Sequence, residues 1–227
     1  MARTLDPAVH AVRRETFVDI AQRLIQTKGY EQMSVQDVLD DAGASRGAFY
    51  HYFDSKAALL EAVVERMVEA AIATLVPLVT DPGVPALQKL QGVFSGIAEW
   101  KSERTELVAA LLRVWLSDEN AIVREKFRRG LVVRLAPLLA AIVRQGADEH
   151  VFTSSSPDEL ARVLVALMQG ANETAIELYV ARQTGRVTFA AVERMFACYV
   201  EAFERLLGLL PGSLEIVDQA VVREWYG

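Results

Sequence analysis

Apolar residues recur with the period of an α-helix along almost the whole chain, and this pattern limits the possible folds more than any other feature of the sequence. In the first helical segment, apolar side chains follow one another at the spacings that place them on one helix face. They are Phe17, Ile20, Ala21, Leu24 and Ile25. Sustained alternation of apolar and polar residues, the pattern of a half-buried strand, is found nowhere in the sequence. We therefore predict an all-α fold.

Two short helical segments follow the first helix. Ser34, with Asp37 three positions later, has the spacing of a residue that caps the second helix. Gly43 allows a sharp turn after it, because glycine adopts the left-handed backbone conformation without steric cost. Ser45 can then cap a third helix that ends at about Tyr52. Two short helices joined by a glycine-containing turn and packed on a longer helix form a helix-turn-helix.

Longer helices are predicted after residue 53. A fourth helix begins within residues 54–56, and the segment 80–85, with its prolines and glycine, is the strongest break in the chain. The later helices are expected at approximately 85–101, 104–117, 119–147, 157–183 and 188–210, and one more can begin after Ser213. We place the domain boundary on the fourth helix. Residues 1–62 then form the first domain, with the helix-turn-helix at about 34–53, and residues 63–227 form the second.

The third helix has one face for the protein core and one for a partner. Phe49 and Phe53 lie four positions apart, hence on one face, and are predicted to anchor the helix. On the other face, the guanidinium of Arg46 can donate two hydrogen bonds to a guanine edge, and Gly47 lets the backbone approach closely. A short helix with a free N-terminal end and an anchored far end suits the major groove of DNA.

The residues around the helix-turn-helix form a long pattern with fixed spacings. It comprises Ile20-Ala21, Leu24-Ile25, Lys28-Gly29-Tyr30, Met33-Ser34-Val35-Gln36-Asp37-Val38 and the continuous run from Ala42 to Leu59. This pattern, within residues 15–62, resembles the DNA-binding region of the tetracycline-repressor (TetR) family. Two positions depart from it. The family usually has histidine before phenylalanine where this chain has Tyr52-Phe53, and often valine where it has Ala44.

The resemblance implies DNA contacts from a defined set of residues. By position, the expected contacts are Ser34 and Gln36 to the DNA backbone, Ser45, Arg46, Gly47 and Ala48 to bases, and Tyr50, His51 and Lys56 to phosphates. The residues themselves leave alternatives open. Tyr50 and His51 can instead form an aromatic pair that braces the domain. Lys56 and Arg46 can be solvated surface charges.

The two long helices near the C-terminus carry apolar stripes that predict a homodimer. The stripe residues chosen for the interface are Leu164, Leu167, Ala171 and Ala175 on one helix and Phe189, Val192, Phe196, Tyr199, Phe203 and Leu206 on the next. Two such helices from each subunit would form a four-helix interface. The alternative is that both stripes pack inside one subunit. A dimer would place two recognition helices roughly 34–36 Å apart, as a palindromic site in double-stranded DNA requires.

Polar and aromatic residues on the apolar middle helices are candidates for an effector pocket. They are Trp100, Arg113, Trp115, Gln169, Asn172, Glu173 and Tyr179. Asn172 and Glu173 are the strongest candidates, because they interrupt a markedly apolar helix. The alternative for each residue is an ordinary packing or hydrogen-bonding role. The hydrophobic content of 52% favours a small hydrophobic effector, and the resemblance implies a ligand-responsive regulator, more commonly a repressor.

Several other classes of function find little support. The net charge of −6 argues against a non-specific coat on nucleic acid. The three histidines form no metal-binding motif, and no catalytic or phosphate-binding motif is present, so we expect neither an enzyme nor a cofactor.

A single cysteine, Cys198, and the absence of an apolar leader favour the cytoplasm. Charges and prolines interrupt the apolar runs, and no membrane span is expected. The remaining alternative is a helical small-molecule-binding or partner-binding protein without DNA readout.

Overall fold

The computed structural model describes the chain from Pro7 to Gly227, apart from the side chains of Pro7, Val9 and Arg113. Its α-helices are α1 (Pro7–Thr27), α2 (Val35–Ala42), α3 (Arg46–Tyr52), α4 (Lys56–Thr80), α5 (Ala86–Ser102), α6 (Thr105–Trp115), α7 (Ala121–Asp148), α8 (Pro157–Gln183), α9 (Phe189–Leu207) and α10 (Gln219–Tyr226). A short 3₁₀ turn, Asp118–Asn120, precedes α7. The described residues include no strand, and the all-α prediction is confirmed.

Local hydrogen bonds explain why α2 and α3 begin and end where they do. The Ser34 hydroxyl oxygen accepts from the backbone N–H of Asp37, and the Asp37 carboxylate accepts from the backbone N–H of Ser34, which completes a capping box. Gly43 ends α2 with φ of 56°, in the left-handed region. The Ser45 side chain then accepts from the backbone N–H of Ala48 and caps α3.

The chain divides into two compact units. The first runs up to Val68 and also includes Arg104–Phe127, and the second consists of Glu69–Glu103 and Arg128–Gly227. The first unit thus contains α6, which lies outside the 1–62 domain expected from sequence. The reason is packing: α6 residues Leu107, Ala110 and Val114 are buried in the same apolar core as α1.

The core of the first unit holds α3 against α1. All five residues of the predicted α1 stripe are buried, as are both predicted anchors, Phe49 and Phe53. The ring of Phe17 meets both anchor rings edge to face, with centroids 5.7 Å from Phe49 and 6.2 Å from Phe53. An isolated helix of seven residues would not be stable in water, so α3 depends on these contacts for its structure.

In the second unit, three predicted interface residues belong to the chain's own interior. Leu164, Val192 and Phe203 are buried, and Phe203 meets the ring of Phe94 from α5 at 5.1 Å. A side chain with almost no accessible surface has none to bury against a second subunit. The predicted interface is therefore wrong at these three positions. For them the alternative of packing inside one subunit holds.

Helix α7 corrects the expectation about apolar runs. The stretch Asp118–Asp148 is long and apolar enough, by length and composition, to cross a membrane. Core helices of ordinary globular proteins pass the same test. Leu135, Leu139, Ile142 and Val143 of this helix are buried in the core of the second unit, so much of its apolar character already has a packing role.

Candidate nucleic-acid interface

Helix α3 presents one face to solvent because the opposite face is fixed in the core. With Phe49 and Phe53 buried, the side chains of Arg46 and His51 are exposed, and Tyr50 is 47% exposed. The face expected to meet DNA is therefore an accessible surface in the folded first unit.

The N-terminal end of α3 carries the residues expected to face bases. The Ser45 oxygen accepts from the backbone N–H of Ala48 at 3.2 Å, which leaves the hydroxyl hydrogen available as a donor. Gly47 is exposed, and a Cβ built on it would meet no heavy atom within 4 Å. Ala48 is partly buried. The guanidinium of Arg46 forms no hydrogen bond or ion pair with any part of the chain that the structure describes, so its donors are free for a partner.

His51 lies in an aromatic cluster that the sequence analysis did not anticipate. The ring of His10, on α1, lies 5.3 Å from the His51 ring and 4.5 Å from the Tyr52 ring. His51 also meets Tyr52 edge to face at 5.1 Å. Tyr50 meets the ring of Phe49 edge to face at 5.4 Å, and no contact between the Tyr50 and His51 rings is found among the described residues. Because His10 precedes His51 by about forty positions, no local sequence pattern indicates that the two rings meet.

Lys56, at the start of α4, is anchored rather than fully solvated. Its ammonium lies 4.2 Å from the centroid of the Tyr30 ring and donates to the backbone carbonyl of Glu31 at 3.3 Å. Partial burial lowers the pKa of Lys56, and burial also raises the pKa of Tyr30 to about 12. These contacts engage one of the three ammonium donors in a hydrogen bond and leave the others for an anionic ligand such as a phosphate.

Ser34, the cap of α2, and Gln36 within that helix are the two residues expected to contact the DNA backbone, and both form hydrogen bonds within the chain. Ser34 is committed to the capping box, where its hydroxyl donates to Asp37 at 2.8 Å. The exposed amide of Gln36 donates to Asp40 at 2.7 Å. Hydrogen bonds from Lys28 and Ser34 hold the pKa of Asp37 well below its usual range, so this carboxylate stays charged and keeps the cap closed.

The candidate pocket residues that the structure describes take part in different packing contacts within the two units. Trp115 packs on Phe127 in the first unit, with ring centroids 4.8 Å apart, and Tyr179 meets the rings of Trp225 and Tyr226. Trp100 lines a groove of about 320 Å³ between α4 and α5. The side chain of Arg113 lies outside the described part of the chain.

The three candidates on α8 have polar partners. The buried Gln169 donates to the backbone carbonyl of Arg128 at 2.7 Å, and Glu173 forms an ion pair with the Arg128 side chain at 3.5 Å. The amide oxygen of Asn172 accepts from the ammonium of Lys101 on α5 at 2.9 Å. Sequence reasoning did not select Lys101, which follows the candidate Trp100 near the end of α5.

Part of the sequence matches a known family, and the fold matches solved structures. Residues 17–63 match the family described as "Bacterial regulatory proteins, tetR family". The chain is 27% identical to the HTH-type transcriptional repressor DhaR of Mycobacterium sp. (strain GP1), over 70% of this chain and 79% of that protein. It is 28% identical to the HTH-type transcriptional repressor NemR of Escherichia coli (strain K12), over 70% of this chain and 81% of that protein. A TetR transcription regulator from Haloarcula marismortui shares the fold, with a TM-score of 0.58, 23% identity and coverage of 74% of this chain and 88% of that one.

Proposed function

Since the chain belongs to the TetR family of bacterial transcriptional regulators, we propose that it binds a palindromic operator as a homodimer and is released by a small, hydrophobic effector. Repression is the expected outcome, because the similar proteins are described as repressors. The cytoplasm is the expected place of action. The observation that carries the proposal is the orientation of α3, with Phe49 and Phe53 buried and the Arg46 face exposed.

The side chains on this face would contact two different parts of the DNA, the bases and the phosphates. Arg46 stands at the first position of α3, the end that enters a major groove, and can contact a guanine edge with two donors. Tyr50, His51 and Lys56 lie farther along the chain and would donate to phosphates, which position the helix without reading sequence. These DNA contacts need only a few positive charges on the first unit, which agrees with the net charge of −6 of the chain.

The dimer is proposed to form through exposed apolar residues of α8 and α9. Val163 on α8 is 48% exposed, and on α9 Met195 is 41% and Leu206 38% exposed. Met195, Cys198, Ala202 and Leu206 recur at helical spacing along one face of α9. Of the interface residues expected from sequence, Leu206 lies on this face. Leu167, Ala171, Ala175, Phe189, Phe196 and Tyr199 are partly buried and keep surface for a partner.

Effector control would act through the spacing of the two recognition helices. A molecule that binds more tightly to a dimer with the wrong spacing shifts the population towards that state and lowers operator affinity. Its effect cannot exceed its differential affinity for the two states.

Binding to the DNA that flanks the chain's own gene tests the proposal. We expect Arg46→Ala to relax preference at one base pair by about 1–3 kcal/mol, whereas Tyr50→Phe weakens binding to all sequences alike. Arg144→Ala removes an exposed arginine of α7, in the other unit, and is the matched control. Fluorescence anisotropy with a labelled duplex measures these affinities. Equal binding by wild type and the Arg46 variant, or no binding by either, would favour the alternative of a helical ligand-binding protein without DNA readout.

A further inference from the structure

A single lysine ammonium lies between α5 and α8 in the second unit. The Nζ atom of Lys101 donates to the amide oxygen of Asn172 at 2.9 Å, and both side chains are partly buried. Among the contacts of the described residues, this is the only hydrogen bond of either side chain. The pair therefore keeps hydrogen-bonding groups that no described residue uses.

Hydrogen-bond donors at this pair outnumber acceptors. The ammonium has three N–H donors and uses one, and the Asn172 amide adds two that have no acceptor among the described residues. Glu173, which follows Asn172 in the sequence, is paired with Arg128 at 3.5 Å. Burial lowers the pKa of Lys101, and no neighbouring carboxylate offsets that effect in the part of the chain described. A half-desolvated cation without a counter-ion is an unfavourable arrangement that an anion would relieve.

Apolar surface continues from the polar pair along both helices. Phe94 and Ile97 stand seven and four positions before Lys101, on the same face of α5, and Met168 stands four positions before Asn172 on α8. All three are only partly buried although they pack against the core. An amphipathic molecule could thus place its charged end at the pair and its apolar part beside these residues.

We propose that Lys101 and Asn172 bind the carboxylate of an effector that has one negative charge and an apolar body. The inference rests on the proposed function in one respect, that the second unit receives an effector. A carboxylate offers two acceptor oxygens for the ammonium and the amide N–H, and its single charge matches the single cation. An alcohol of the same length would leave the cation unpaired.

Isothermal titration calorimetry with octanoate, and with octanol as the uncharged analogue, tests the proposal on the full-length protein. We expect octanoate to bind about 10- to 100-fold more tightly than octanol, the range for hydrogen bonds to charged groups. Lys101→Met should abolish this preference, and Asn172→Leu should reduce it. Lys126→Met, which removes an exposed lysine paired with Glu61 in the first unit, should leave it intact.

Two outcomes would overturn the inference: octanoate binding no more tightly than octanol, or Lys101→Met retaining the preference. Should Lys101→Met lose its helical circular dichroism signal, Lys101→Gln removes the charge and keeps a donor for Asn172, and it is expected to lose the preference too. Operator binding is measured separately without ligand. Absence of DNA binding by the wild type would overturn the proposed function and leave the calorimetric comparison standing, whereas DNA binding by the wild type without carboxylate preference would reject the present inference alone.

Discussion

The ring of Phe17 on α1 meets the ring of Phe49 on α3 edge to face, with the centroids 5.7 Å apart. This contact joins the long first helix to the short helix whose other face carries Arg46. Because α3 has only seven residues, its orientation depends on such contacts more than on its own hydrogen bonds. The stability of the first unit and its ability to bind DNA are therefore coupled through the same aromatic core.

Replacement of Phe49 by alanine should destabilise the protein strongly. The side chain is fully buried, so Phe49→Ala removes apolar contacts and leaves a cavity, at a cost of about 3–5 kcal/mol in the free energy of unfolding. Urea unfolding followed by circular dichroism measures the change. Tyr50→Ala is the neighbouring control, since this exposed ring contributes little to the core. Equal loss of stability in the two variants would contradict the assignment of the two faces.

His10 provides a second, weaker contact to the same helix. Its ring lies 4.5 Å from Tyr52 and 5.3 Å from His51, and an aromatic pair of this kind contributes about 0.5–1.5 kcal/mol. We expect His10→Ala to lower stability by an amount in this range and to weaken DNA binding without altering base preference. Unfolding and anisotropy measurements on the same preparation separate the two effects. A change in base preference would show instead that His10 acts directly at the DNA.

Local signals in the sequence were sufficient to predict the helices and the exposed face of α3. Ser34, Gly43 and Ser45 act through residues at most a few positions away, and the buried α1 stripe follows from spacing alone. Two features depended on long-range packing and escaped prediction. An apolar stripe does not specify what covers it, so Phe203 was assigned to a subunit interface although Phe94 covers it within the chain. The contact of His10 with Tyr52 likewise has no local pattern.

The capping box of α2 should make stability depend on pH through Asp37. Hydrogen bonds from Lys28 and Ser34 lower the pKa of this carboxyl. A group whose folded-state pKa is lowered contributes stability at pH values above its unfolded pKa, about 3.9, and loses that contribution as the pH falls through the folded value. We expect Asp37→Asn to lower the urea midpoint at pH 7, with a difference from wild type that shrinks below about pH 4. A difference that stays constant down to pH 3 would show that the charge of Asp37 is not responsible.

Charged substitutions on the exposed apolar face of α8 and α9 should separate the proposed dimer. Val163→Asp and Met195→Asp place a carboxylate where, in the proposed interface, apolar side chains of two subunits meet, and a buried unpaired charge is strongly unfavourable. We expect both variants to sediment as monomers in analytical ultracentrifugation and to keep the helical content of the wild type.

The matched control for this experiment is Val133→Asp. Val133 is 74% exposed on α7, outside the α8 and α9 face, and its replacement should leave the dimer intact. Because two linked recognition helices bind a palindrome much more tightly than one, the monomeric variants should lose affinity for the full operator while binding a half-site as the wild type does. If Val133→Asp dissociates the dimer and Val163→Asp does not, the subunits meet on a face that includes α7, and the proposed arrangement of α8 and α9 is wrong.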